Sequence, residues 1–103
     1  MLDKYKDMYK FQQQARAIQK ELKKAKFTAN SSSSVVTVVV NGIQEVEEVQ
    51  IDFGEKADYY TNNPLKLGSE IRETTNKAMK KAQKASAERM QSIMGEGGMP
   101  PGF

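Results

Sequence analysis

The chain has 103 residues, 38% hydrophobic and 28% charged, with 16 Lys and Arg against 13 Asp and Glu. Its length argues for one domain, and the absence of both Cys and His excludes Cys/His zinc sites, thiol chemistry, disulfides and His-based acid–base catalysis. Its longest apolar run, Val38, Val39 and Val40, is far below the ~20 residues needed to cross a bilayer, and the charged N-terminus has no signal-like apolar core, so a soluble, cytoplasmic protein without membrane contact is expected.

The first element is a helix over residues ~3–25. Met8, Phe11, Ala15, Ile18, Leu22 and Ala25 recur at alternating spacings of three and four, which makes a narrow heptad-like seam. Such a seam packs against helices of the same chain, of a second copy, or of both. Phe11, Ile18 and Leu22 are its anchors. The segment KAKFTAN then alternates weakly and fits an edge strand guarded by lysines. Four serines, residues 31–34, read as a flexible polar turn; without glycine they form no phosphate cradle.

Residues 35–52, VVTVVVNGIQEVEEVQID, form the hub of the chain. Their β-branched residues suit a strand, a turn and a second strand. Two registers compete. A turn at Asn41 and Gly42 would set Val38 opposite Glu45 and Val36 opposite Glu47. A turn at Ile43 and Gln44 sets Val38 opposite Val49 and Val36 opposite Ile51. The second matches apolar with apolar, so it is expected, with Gly42 relaxing the strand end. Val36, Val38, Val40, Val49 and Ile51 become candidate core or dimer residues. Val35, Thr37 and Val39 occupy the other face.

Residues 53–63 read as a loop holding Tyr59 and Tyr60. This pair either anchors the loop or stacks on bases, and nearby acids disfavour the second role. Asn63 and Pro64 then resemble an N-cap and first helical residue, with Ser69 as a later cap if Gly68 weakens the start. The second long helix is expected from about residue 65 to 94. Its small or apolar stripe is Leu67, Ile71, Thr75, Ala78, Ala82 and Ala85. Gly95 should end it, leaving residues 95–103 as a flexible tail after a single domain over 1–94.

Charge is partitioned along the chain. Residues 1–26 hold eight bases and three acids, residues 35–63 six acids and one lysine, and residues 64–93 seven bases and three acids. The helices are basic and the hairpin acidic, so a polyanion would meet the helices. Like charges at helical spacing are unfavourable until a partner screens them, although a solvated face is the commoner fate of a lysine run. The densest acids, Glu45, Glu47 and Glu48, lie on the hairpin with no pocket pattern around them. No enzyme activity, cofactor, metal or small-molecule substrate is expected.

This layout resembles the YbaB/EbfC family of bacterial nucleoid-associated proteins. The residues that carry the likeness are the Gln/Lys-rich first helix, VVTVVVNG followed by VEEVQID, the run MKKAQKASAERM and the ending GGMPPGF. The segment between Asp52 and Asn76 and the serines at 31–34 depart from the family pattern. The resemblance implies an α+β fold: a helix, a small antiparallel sheet of two or three strands and a long helix, paired into a tweezer-like homodimer. It also implies double-stranded DNA as partner, with little sequence preference, in the cytoplasmic nucleoid. On the charge pattern, Lys77, Lys80, Lys81, Lys84 and Arg89 of the second helix, and Lys4, Lys6, Lys10 and Lys20 of the first, are the candidate phosphate contacts. Arg16 and Arg72 are candidates for reaching a groove. A second reading is a prefoldin-like scaffold for protein partners. Against it, a 25-residue helix reaches only ~38 Å, and its surface is lysine-rich rather than apolar-tipped.

Overall fold

The computed structural model describes residues 2–97, with side chains described for residues 6–92. Lys4 and the tail from residue 98 onward lie outside those bounds. The elements are helix α1 (Leu2–Lys24), strands β1 (Lys26–Asn30), β2 (Val36–Asn41) and β3 (Val46–Ile51), a 3₁₀ turn (Gly54–Lys56), and helices α2 (Ala57–Asn62) and α3 (Pro64–Gly97). The sheet is antiparallel in the order β1-β2-β3. This is the α+β architecture read from the sequence, drawn out to 68 × 22 × 17 Å.

The hairpin takes the apolar-matched register, with Val36 opposite Ile51 and Val38 opposite Val49. Its turn is built by Asn41, which is almost wholly buried. The Asn41 Oδ1 accepts from the backbone N–H groups of Ile43 and Glu45 at 3.1 and 2.9 Å, and its amide donates to Glu45 Oε1 at 2.8 Å. Gln44 completes the turn in the left-handed region at φ 66°. Gly42 does not loosen the strand end as expected. It has no positive φ; instead it lies against the end of α1 and donates its N–H to Leu22 O at 2.7 Å.

Between Val39 and Val40 the register slips. Val39 pairs with Glu48, and Val40 with Val46, so Glu47 is an extra residue in β3. A bulge of this kind resets the alternation of side chains. Val46, Val49 and Ile51 therefore share the face of Val36, Val38 and Val40, although their spacing of three and two does not alternate. Glu47 reaches Lys26 at 3.7 Å.

Helix α3 covers β1 and β2. Ala78 and Ala82 are fully buried against Val36, Val38 and Val40, and Ala29 joins them. Alanines let the helix approach closely, and each buried valine contributes ~1.5–3 kcal/mol. The helix does not reach over β3, so Val46, Val49 and Ile51 stay 41–45% exposed. Val49 and Ile51 are thus outside the core of the single chain, because the hairpin is wider than the helix that covers it. A second cluster, Ile18 and Leu22 with Phe11 against it, ties α1 down.

Three further expectations change. Residues 53–63 are largely helical rather than a loop, and Tyr60 is buried within them. The serines form a hydrogen-bonded turn: Ser31 Oγ accepts from Val36 N at 3.0 Å, and Ser34 adopts φ 66°. Helix α3 starts at Pro64 and continues through Gly68, so Ser69 caps nothing, and it passes Gly95 to reach Gly97. Long helices tolerate single glycines at ~1 kcal/mol each.

Candidate functional site

The long flank of α3 carries the clearest concentration of free charge. Lys77, Lys80 and Lys84 are spaced by three and four, which places them on one side of the helix. All three are exposed, and none bonds or pairs with another described group. Glu73 and Glu88 bracket the row one turn away at either end. Arg72 is exposed on a different side of the helix.

Two expected members of the set are engaged within the fold. Lys81 Nζ donates to Thr28 O on the outer edge of β1 at 2.7 Å. Arg89 Nε donates to Glu21 Oε2 at 2.8 Å, an exposed ion pair that bridges α3 and α1. On α1, Lys6, Lys10, Arg16 and Lys20 are all exposed. The two helices converge beside the β2–β3 turn around a cleft of about 440 Å³, lined by Ile18, Leu22, Ile43, Gln83, Ala87 and Met90 among others and by no charged residue. The basic side chains therefore lie outside this cleft.

Sequence reasoning missed a buried polar cluster at the other end of α3. The Tyr60 hydroxyl donates to Glu70 Oε2 at 2.6 Å and lies 3.3 Å from Ser33 Oγ. The Glu70 carboxylate, followed by burial, holds the phenol above its ordinary pKa of 10.0, while Ser33 pulls it down. Phe53 and Tyr59 pack on the Tyr60 ring at centroid distances of 5.4 and 5.1 Å. This occupies Tyr60 in anchoring, and leaves Tyr59 half exposed. The signal was the i, i+4 pair Glu70 and Thr74, which shares the buried side with Ala78. Thr74 Oγ1 is buried with no hydrogen-bond partner.

Among the described residues no group of three acids converges to hold a metal ion, and no helix is long and apolar enough to cross a membrane.

The model of the YbaB/EbfC DNA-binding family matches residues 1–99. The chain is 28% identical over 103 residues to a nucleoid-associated protein of Hahella chejuensis, covering 100% of the chain and 92% of that relative. It is 28% identical over 99 residues to a nucleoid-associated protein of Clostridium kluyveri, covering 95% and 83%. A third relative, from Clostridium acetobutylicum, is also named a nucleoid-associated protein and is 29% identical over 91 residues, covering 87% and 78%. In fold, the chain matches the crystal structure of an uncharacterized Helicobacter pylori protein with a TM-score of 0.68, covering 84% of this chain and 96% of that one at 16% identity.

Proposed function

Because this chain belongs to the YbaB/EbfC DNA-binding family, we propose that it is a non-enzymatic, nucleoid-associated protein whose paired basic helices hold duplex DNA by its phosphates. The carrying observation is the row Lys77, Lys80 and Lys84, exposed on one flank of α3 and held in no ion pair among the described residues. Lys6, Lys10 and Lys20 extend the same chemistry along α1, and Arg16 and Arg72 supply guanidinium groups able to reach base edges. Lys81 and Arg89 contribute less, since each already serves a contact inside the fold. Each ammonium set against a phosphate releases condensed counterions, which drives binding without reading sequence. The acidic hairpin turns away from the DNA for the same electrostatic reason.

The test is a duplex titration across salt with the unmodified chain and with Lys77→Gln/Lys80→Gln/Lys84→Gln. Neutralising three phosphate contacts lowers the slope of log affinity against log salt by about 2.7. Affinity that barely changes between ~50 and ~200 mM salt would remove the phosphate mechanism. Retention of unfolded protein, with no retention of DNA, would favour the scaffold reading instead.

A further inference from the structure

We infer that the outer face of α1 is a track for an unpaired nucleic-acid strand, with the Tyr9 ring stacking on one of its bases. The inference rests on the phosphate chemistry proposed above and adds a second kind of occupant.

Spacing builds the face. Lys6, Tyr9, Gln13, Arg16, Lys20 and Lys23 follow one another at intervals of three and four, so they form one file along the helix, about 26 Å long. Tyr9, Arg16 and Lys20 each stand two positions before a residue of the packed cluster, Phe11, Ile18 and Leu22, and two positions turn a helix by about 200°. The file therefore lies on the side of α1 opposite its seat on the fold, and all six residues are exposed. Among the described residues, none of its four cations is held in an ion pair. The acids of the helix fall elsewhere: Asp7 is off the file, and Glu21 pairs with Arg89 of α3.

Phosphate contacts alone give Tyr9 no role. Its ring is 61% exposed within this basic file. The Gln13 side-chain amide donates to its hydroxyl at 2.9 Å, which sets the direction of the ring and leaves most of it to solvent. Tyr60, by contrast, is buried, and Tyr59 packs on it next to Asp58. A ring held out among cations is the combination that grips single strands, since the cations track the backbone while bases stack on the aromatic face. A duplex cannot use the ring in this way, because its bases are stacked on one another and show only their edges in the grooves. Helix α3 has no aromatic residue, so its lysine row offers phosphate contacts and no stacking platform. The two helices therefore differ in what they can hold.

The absence of Trp makes the test direct. Tyr9→Trp puts one indole reporter in the file. Its emission should fall on adding a short oligothymidylate or oligouridylate, and stay unchanged with duplex DNA or with an abasic strand of the same length. Tyr9→Leu should weaken binding of the unpaired strand about tenfold, the order that stacking of one base contributes, and leave duplex affinity at the parental value. The deoxy and ribo arms tell which strand chemistry is preferred; binding in either supports the track, and binding in neither overturns it. Parental affinity of Tyr9→Leu for the unpaired strand, or equal quenching of the indole by duplex, would also overturn it. Lys77→Gln/Lys80→Gln/Lys84→Gln separates the inference from the duplex reading: this variant should lose duplex affinity and keep the unpaired strand. Equal loss of both would refute a separate track on α1. A parent that binds the unpaired strand but no duplex would refute the duplex reading and leave the track standing.

Discussion

Gly42→Ala should loosen α1 from the sheet. Gly42 sits where the β2–β3 turn meets the last turns of α1. A Cβ added there would lie 2.6 Å from Leu22 O, 2.8 Å from Leu22 Cβ and 2.9 Å from Leu22 Cα. These atoms are backbone or fixed to it, so no rotamer change relieves the contact, and the end of α1 must retreat. Retreat stretches the 2.7 Å bond from Gly42 N–H to Leu22 O and opens the seat of Ile18 and Leu22. Overpacking costs ~1–3 kcal/mol and a weakened hydrogen bond ~0.5–1.5 kcal/mol, so a loss of about 2–3 kcal/mol is expected. Gly68→Ala is the matched control. It lies inside α3 with open space around it, and alanine there should stabilise by ~0.5–1 kcal/mol. Urea unfolding of both variants at one chain concentration measures the pair. If Gly42→Ala is as stable as the parent, α1 is not held through this contact and the reasoning fails.

Tyr60→Phe keeps the ring packing but strips the buried Glu70 of its donor, and should cost ~1–3 kcal/mol in urea unfolding. The raised phenol pKa makes the parent's stability complete below pH 10 and lost as pH rises through the folded value; in Tyr60→Phe this alkaline decline should shrink. Thr74→Val replaces a partnerless hydroxyl with a methyl and should be neutral or stabilising by up to ~1 kcal/mol; a loss larger than that in thermal unfolding would reveal a partner for Oγ1. Gln44→Gly relieves a left-handed residue and should stabilise by up to ~1 kcal/mol in urea unfolding; a loss of stability would refute strain at this position. Lys81→Ala should leave the salt slope of DNA binding nearly unchanged, whereas a drop near 0.9 would show that Lys81 leaves Thr28 for a phosphate.

The fold was legible where one physical rule dominated. Matching valine to valine and isoleucine chose the hairpin register against the stronger Asn-Gly turn signal, because a wrong register would have faced Val38 and Val36 with glutamates. What the sequence concealed depended on a neighbour distant along the chain. Gly42 looked like a relaxed strand end, but α1 comes within bonding distance of it. The bulge at Glu47 left no trace in a VEEV pattern that alternates poorly. Residues 53–63 looked like a loop because Tyr60 finds its partner ten residues later on α3. The basic site was visible as composition, yet the bonds that hold Lys81 and Arg89 required coordinates, since Thr28 and Glu21 are more than fifty residues away in sequence.

The lysine that arches over β1 has a further effect on how many chains can associate. A sheet with two bare margins is a template for unlimited growth, as in fibrils. With Lys81 Nζ bound to Thr28 O, the β1 margin carries a charged side chain, which disfavours strand addition there. The same ammonium group that composition assigned to nucleic acid therefore serves as a guard against polymerisation.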